Sequence, residues 1–226
     1  MQLTRTVEPE WLDVLPADDP RAQRSRRDLR RVNALMANAR IVARELRASP
    51  VASIAEIGAG DGAFAARLAR ALPPANGGRF TLLDRQAIVA PAVAEELGDR
   101  GWKPERERAD VFEWLTTEGG SYDAVIANLF LHHFEDATLA AMLALVAART
   151  RCFVACEPRR SALALAGSRM LGFVGCNDVT RHDAVVSVRA GFHDGEISAL
   201  WPKDSGWTLE EGARGLFSHC FVARRR

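Results

Sequence analysis

Glu56-Ile57-Gly58-Ala59-Gly60-Asp61-Gly62 is the stretch on which the reading of this 226-residue chain turns. A short apolar run, Ala52 to Ile57, leads into it. Behind it, Phe64, Ala65, Leu68, Ala69 and Leu72 recur at helical spacing until Pro73-Pro74 stops the pattern. A strand that passes through a glycine-rich turn into a helix places unpaired backbone N–H groups at a crevice above a sheet. Glycines there permit positive φ and let a ligand approach the backbone.

The same alternation continues outward. Strands are predicted at Phe80 to Leu83, Glu105 to Ala109, Tyr122 to Leu129 and Arg151 to Cys156. Helices are predicted near Ala90 to Leu97 and over Leu139, Met142, Leu143 and Val146. Strands separated by amphipathic helices imply a mostly parallel sheet with right-handed crossovers. Toward the C-terminus, Ser161 to Val174, His182 to Ala190 and Glu196 to Leu200 read as helical. Trp207 to Glu211 and Leu216 to Ala223 read as a hairpin turning at Gly212 and Gly215, able to add an antiparallel strand. Upstream, Leu29, Val32, Met36, Ala39, Ala43 and Leu46 form one stripe of a long helix that ends at Ser49-Pro50.

Composition narrows the classes. The chain is 48% hydrophobic and 26% charged with a net charge of +1, which gives no general pull toward nucleic acid or membrane. Nearly every basic residue is arginine; Lys103 and Lys203 are the exceptions. The cluster Arg21, Arg24, Arg26, Arg27, Arg30 and Arg31 is interleaved with Asp18, Asp19 and Asp28 and lacks stacking aromatics, so a solvated helix face is expected rather than a nucleic-acid contact. No run approaches the roughly 20 apolar residues of a membrane span, and the N-terminus lacks a signal-peptide core. Cys152, Cys156, Cys176 and Cys220 show no metal-type pairing and are expected as reduced thiols, Cys152 and Cys156 on one strand face. A cytoplasmic protein with no metal site is the expectation.

The glycine loop alone leaves two readings. Gly58-x-Gly60-x-x-Ala63, with Asp84 downstream, also satisfies the dinucleotide fingerprint of a nicotinamide enzyme. Glu56, two before the first glycine, suits a ligand with an ammonium group and a sulfonium, and suits a pyrophosphate poorly. The string acid-x-Gly-x-Gly-x-Gly, Asp84 after Thr81-Leu82-Leu83, Ala109-Asp110-Val111-Phe112, and Tyr122-Asp123 through Asn128-Leu129-Phe130-Leu131-His132-His133-Phe134 together resemble the motifs of class I S-adenosylmethionine-dependent methyltransferases, in the small-molecule type with paired histidines after the fourth strand. The resemblance spans about Val51 to Glu157.

That resemblance implies a Rossmann-like α/β fold: a seven-stranded, mostly parallel sheet with an antiparallel C-terminal hairpin strand, helices on both faces and an N-terminal helical lid. Residues 1–50 would form the lid segment (its helical part 10–48) and 51–226 the domain proper, with 161–201 as an acceptor-side helical insertion. S-adenosylmethionine would be the cofactor and S-adenosylhomocysteine the product. The binding residues carried over are Glu56 for the methionine ammonium, the loop positions Gly58, Ala59, Gly60 and Gly62, Asp84 and Arg85 at the ribose, Asp110, Val111 and Phe112 at the adenine, and Asn128 and Leu129 beside them. Asp84 and Asp110 are also ordinary helix-capping acids in the competing reading.

Methyl transfer is an in-line displacement aided mainly by positioning. A hydroxyl acceptor also needs a base, and His132 and His133, just past a strand end, are the candidates; adjacent side chains diverge, so one is expected to face the acceptor and the other to be structural. His182 and His193 are further candidates. Asn128 lacks the Pro-Pro-aromatic sequel of many amino-group methylators, and Met170, Leu171, Phe173, Val174, Val185, Val186, Val188, Phe192, Leu200 and Trp201 make the 161–201 segment apolar. A small hydrophobic or aromatic acceptor, methylated at oxygen or carbon, is therefore expected, with no nucleic acid, in a monomer or homodimer. Asn177 to Asp183 and Val188 to Phe192 are similar to bacterial methyltransferases of polyketide-type biosynthesis. An NAD(P)-dependent oxidoreductase and an RNA or protein methyltransferase are the alternatives.

Overall fold

The computed structural model describes residues 3–16, 18–48, 50–74, 77–117, 120–203 and 206–226. Its centre is a seven-stranded sheet: β1 (Ser53–Ile57), β2 (Arg79–Asp84), β3 (Lys103–Arg108), β4 (Tyr122–Asn128), β5 (Thr150–Pro158), β6 (Trp207–Arg214) and β7 (Ser218–Arg225). Their spatial order is β3-β2-β1-β4-β5-β7-β6. β1 to β5 are mutually parallel, and β7 runs against both β5 and β6. Because the chain moves from β1 toward β2 and β3, then returns to lay β4 on β1's other side, crossovers diverge above β1 and β4. A crevice opens where they part.

Two apolar layers cover the sheet. On β1, Ala55 and Ile57 join the layer that holds Trp114 and Leu115 of α6 (Val111–Thr117) and Leu139, Met142, Leu143 and Val146 of α7 (Asp136–Arg149). Ile54 joins the opposite layer, with Val42 and Leu46 of α3 (Asn38–Leu46), Phe64 and Leu68 of α4 (Ala63–Ala71) and Leu97 of α5 (Pro91–Asp99). Glu56 shares the face of Ile54, where strand alternation calls for a core residue. The exposed edge strand β3, Lys-Pro-Glu-Arg-Glu-Arg, is charged and carries Pro104, features that discourage pairing with another chain.

The N-terminal stripe is not one helix. After α1 (Trp11–Val14), α2 (Pro20–Met36) begins with Asp19 capping the Arg21 N–H and ends at Ala37, which takes a left-handed φ of 57° before α3. The kink delivers Asn38 into the protein: its Nδ2 donates to Asn128 Oδ1 (2.8 Å), and Ser218 Oγ donates to its Oδ1 (2.6 Å). Alanine carries no turn signal, so the period runs straight through a real break. Consequently α2 buries Ala22, Ser25 and Asp28 rather than the expected Leu29, Val32 and Met36. Ser49, half of the expected stop, lies outside the described residues.

Elsewhere the boundaries shift modestly. The helix expected over 161–174 is α8 (Ala162–Arg169), capped by Ser161, followed by a 3-10 turn at Met170–Val174. α9 (Asp178–Ala190) starts earlier than expected because Asn177 caps the Thr180 N–H. α10 (Glu196–Leu200) forms as expected. Gly212 sits within β6, and the hairpin turns at 215–217 instead. All four cysteines are free, with Cys156 opposite Cys220 on the antiparallel pair.

Candidate active site

A cavity of about 680 Å³ lies above the carboxyl ends of β1, β2 and β4. At one end stands the glycine loop. Gly58, Gly60 and Gly62 have φ of 71°, 56° and 78°, and a Cβ at Gly58 would overlap the Phe130 ring, so the loop's path is open only to glycine there. Several of the loop's amides are already engaged, contrary to the expectation from sequence. Ala59 N–H donates to Leu83 O (2.9 Å), Gly60 N–H to Asp84 Oδ2 (2.8 Å), Gly62 N–H to Ala59 O (3.0 Å) and Ala63 N–H to Asp61 Oδ1 (3.0 Å). A loop that satisfies its own donors has little left for a phosphate.

The side chains around the loop are acidic. Glu56 is 1% exposed and borders the cavity, yet its Oε2 has no hydrogen-bond partner among the described residues. Burial, reinforced by Asp61 and Asp84, pushes its carboxyl well above the usual carboxylate range. Leaving an ionised carboxylate buried alone costs several kcal/mol, so the group holds its proton until a cation arrives. A ligand ammonium group would supply such a cation, so the residue is chemically suited to one.

Of the other expected cofactor residues, Ala59, Arg85, Val111, Asn128 and Leu129 also line the cavity. Asp84 Oδ1 accepts from the Gln86 N–H (2.8 Å), and the residue lines the cavity. Asp110 caps α6: its Oδ1 accepts from Phe112 N–H (2.8 Å). It borders the cavity too, so the cap does not exclude a ligand contact. Gly62 and Phe112 stand behind this wall. Gly62 caps α4, where an added Cβ would press on Val93, and Phe112 packs edge-on against Phe134. Leu129, at a φ of 54°, turns the chain out of β4 and presents Phe130 and the histidines. Such strain in a non-glycine residue is typical of functional turns.

The far end is built around the histidines. His132 is 3% exposed, with Nδ1 at 2.8 Å from Glu157 Oε2 and Nε2 at 3.3 Å from Glu10 Oε1. Burial works against its charge, but hydrogen bonds to Glu10 and Glu157 outweigh it and raise its pKa to about 9. Burial likewise opposes the charge on Glu10, and contact with His132 overcomes it and lowers the Glu10 pKa. At neutral pH His132 is an imidazolium. His133 is 26% exposed, with Nδ1 at 3.3 Å from Asp13 Oδ2. Both residues border the cavity. His182 instead stacks on Trp11 and bonds Asp183, and His193 pairs with Asp194; neither borders the cavity.

Several contributing side chains were not singled out from the sequence, although they fall within the segment 1–50 expected as a lid. Residues 7–13 form a strap over the histidine end, held by Asp183 accepting from the Trp11 and Leu12 N–H groups and by Ser187 donating to Glu10. Asn33 and Arg30 enter from α2, Arg30 pairing with Asp61 at 2.8 Å; the arginine face is thus not wholly a solvated one. Conversely, the 161–201 segment lends the cavity Ser187 alone. Its apolar residues are divided between the core (Val186, Phe192, Trp201) and open surface (Met170, Phe173, Val174).

Residues 55–152 match a family model described as a methyltransferase domain. That stretch is a methyltransferase domain. It spans β1 to the start of β5 and so contains the loop, Asp84, Asp110 and both histidines. No curated protein matches the chain. Among solved structures, it is similar to an O-methyltransferase family protein from Burkholderia thailandensis (18% identity, TM-score 0.65, covering 92% of this chain and 61% of that one). It is also similar to magnesium protoporphyrin IX methyltransferase from Synechocystis with bound S-adenosylhomocysteine (16%, 0.55, 95% and 91%). A third likeness is to a pyocyanin biosynthetic protein (20%, 0.63, 96% and 61%). The chain spans about three fifths of the length of the first and third, and at these identities the likeness is one of fold. The methyltransferase domain accordingly sits in a sheet of the architecture expected from sequence, and among the described residues no helix is long and apolar enough to cross a membrane.

Proposed function

We propose that the chain transfers a methyl group from S-adenosylmethionine to the oxygen or carbon of a small hydrophobic or aromatic acceptor. The observation that carries this reading is the buried Glu56 carboxyl, whose Oε2 has no partner among the described residues, at the glycine-loop end of the cavity. It matches a ligand with an ammonium group. A nicotinamide dinucleotide would instead bring a pyrophosphate against Glu56, Asp61 and Asp84, beside amides already bonded to Asp61 and Asp84.

In this reading Glu56 receives the methionine ammonium, Asp84 the ribose hydroxyls and Asp110 Oδ2 the adenine amino group, with Val111 and Phe112 at the ring. When bound, the cofactor supplies an electrophilic methyl on a sulfonium. The strap of residues 7–13 and the aromatic residues Phe130 and Phe134 border the acceptor end. Positioning the acceptor in line is worth several kcal/mol of the barrier, up to roughly 7–11 in well-oriented systems. Where the acceptor is a hydroxyl, His133 takes its proton: Asp13 holds Nδ1, which leaves Nε2 as the accepting nitrogen. His132 is unsuited, since it is already protonated and both of its nitrogens face carboxylates.

The test is a thermal-shift comparison. S-adenosylhomocysteine at micromolar concentration should raise Tm and NAD should not. Stabilisation by NAD with none by S-adenosylhomocysteine would replace this reading with an oxidoreductase.

A further inference from the structure

We propose that Glu10, His132 and His133 form a binding site for one divalent transition-metal ion at the acceptor end of the cavity; what the ion does there rests on the methyl-transfer reading, its binding does not. One donor atom from each of the three lies within 4.8 Å of the others. His132 Nε2 is 3.3 Å from the Glu10 carboxylate. Donors about 2.0–2.2 Å from a zinc-like ion stand roughly 3 to 3.5 Å apart, so the ion fits between these two groups as they stand. His133 offers a donor atom within 4.8 Å of the other two and completes the set by moving inward onto the ion.

Two features set the cluster apart from an ordinary ion pair. Each imidazole has a carboxylate on its Nδ1, Glu157 at 2.8 Å for His132 and Asp13 at 3.3 Å for His133. That is the outer-shell arrangement that orients metal-binding histidines and directs Nε2 toward the ion. Glu157 is itself fixed, for it accepts from the backbone N–H groups of Phe130, Leu131 and His132. The second feature is the donor set. Two imidazoles and one carboxylate suit zinc, iron(II) or cobalt(II), not the all-oxygen preference of magnesium or calcium. Three protein donors leave a position open, and all three residues border the cavity.

The sequence conceals this site because Glu10 and His132 are 122 positions apart. Binding exchanges the His132 Nε2 proton for the ion, and the proton leaves to solvent. An acceptor hydroxyl in the open position then loses its own proton to solvent water and remains as a metal-bound oxyanion. In the loaded protein this replaces proton removal by His133. The ion also clamps the strap, through Glu10, to the end of β4.

The experiment is a titration of chelator-treated protein with Co2+, followed by visible absorption and Tm, with S-adenosylhomocysteine binding measured on the same samples. One equivalent should bind below about 10 µM, with the absorption of a nitrogen–oxygen cobalt site and a rise in Tm. Glu10→Gln and His133→Ala should each weaken binding at least about tenfold; both side chains lie off the sheet core, and retained S-adenosylhomocysteine binding reports that the variants are folded. Binding only at millimolar Co2+, or undiminished in both variants, overturns the site. Failure of Co2+ with intact S-adenosylhomocysteine binding removes the ion and spares the methyl-transfer reading. The converse removes that reading and spares the ion.

Discussion

Glu56 and Glu157 are both carboxylates at the ends of neighbouring sheet regions, 1% and 0% exposed, and they live opposite lives. Glu157 accepts three backbone N–H groups and faces the His132 ring, so its charge is neutralised within the protein. Glu56 has an oxygen with no partner, in the company of Asp61 and Asp84. Equal burial thus has two meanings. The paired carboxylate holds the molecule together; the unpaired one lowers the stability of the empty protein and is an incomplete contact that a cationic ligand finishes. Sites commonly trade stability for function in this way.

The contrast can be broken from the paired side first. His132→Ala strands Glu10 and Glu157 as uncompensated buried charges, and denaturant unfolding should show a loss of about 3–5 kcal/mol. An unchanged midpoint would mean that water reaches the pair freely.

Glu56→Gln should act in the reverse sense. The empty protein should gain about 1 kcal/mol in stability, while S-adenosylhomocysteine binds about 10- to 100-fold more weakly, as for a lost charge-assisted contact. The pH dependence follows from the raised pKa of Glu56. Its contribution to stability is full below the ordinary 4.5 and is lost as pH rises toward its higher folded value. The stability gap between Glu56→Gln and the unaltered protein should therefore widen as pH rises above about 4.5, read by Tm across a pH series. A gap constant with pH would place the ionisation elsewhere.

Smaller effects bound the contrast. Gly58→Ala, at a positive φ and against Phe130, should cost about 1–3 kcal/mol of stability and weaken cofactor binding through the displaced ring. Arg30→Ala removes a partly exposed pair with Asp61 and should cost no more than about 1 kcal/mol. A larger loss on Arg30→Ala would show that α2 is fastened to the loop more firmly than a surface pair allows.

The two ends also differed in how far the sequence disclosed them. The cofactor end is local: Glu56 to Gly62 is one turn, and Asp84 and Asp110 each follow the strand that presents them, so spacing and periodicity suffice. The far end is assembled from distant segments. Nothing about Glu10 or Asp13 announces a meeting with the histidines, and Glu157 is marked only by the proline after it. The break at Ala37 has no local signal because tertiary hydrogen bonds at Asn38 impose it. The apolar stretch 161–201 misled because hydrophobicity alone does not distinguish a pocket wall from a core or an exposed surface. The free amides expected of the glycine loop failed for a further reason. Asp84, expected to serve a ligand or a cap, turns part of its capacity on the loop itself, and Asp61 does the same.

The most direct test of the unpaired carboxylate is calorimetric titration of S-adenosylhomocysteine at neutral pH in buffers of different ionisation enthalpy, on the unaltered protein and on Glu56→Gln. The expected result is a release of protons on binding to the unaltered protein, as Glu56 ionises against the ligand ammonium, with the release absent and the affinity reduced in Glu56→Gln. Equal affinity and equal proton release in the two proteins would contradict the role given to Glu56.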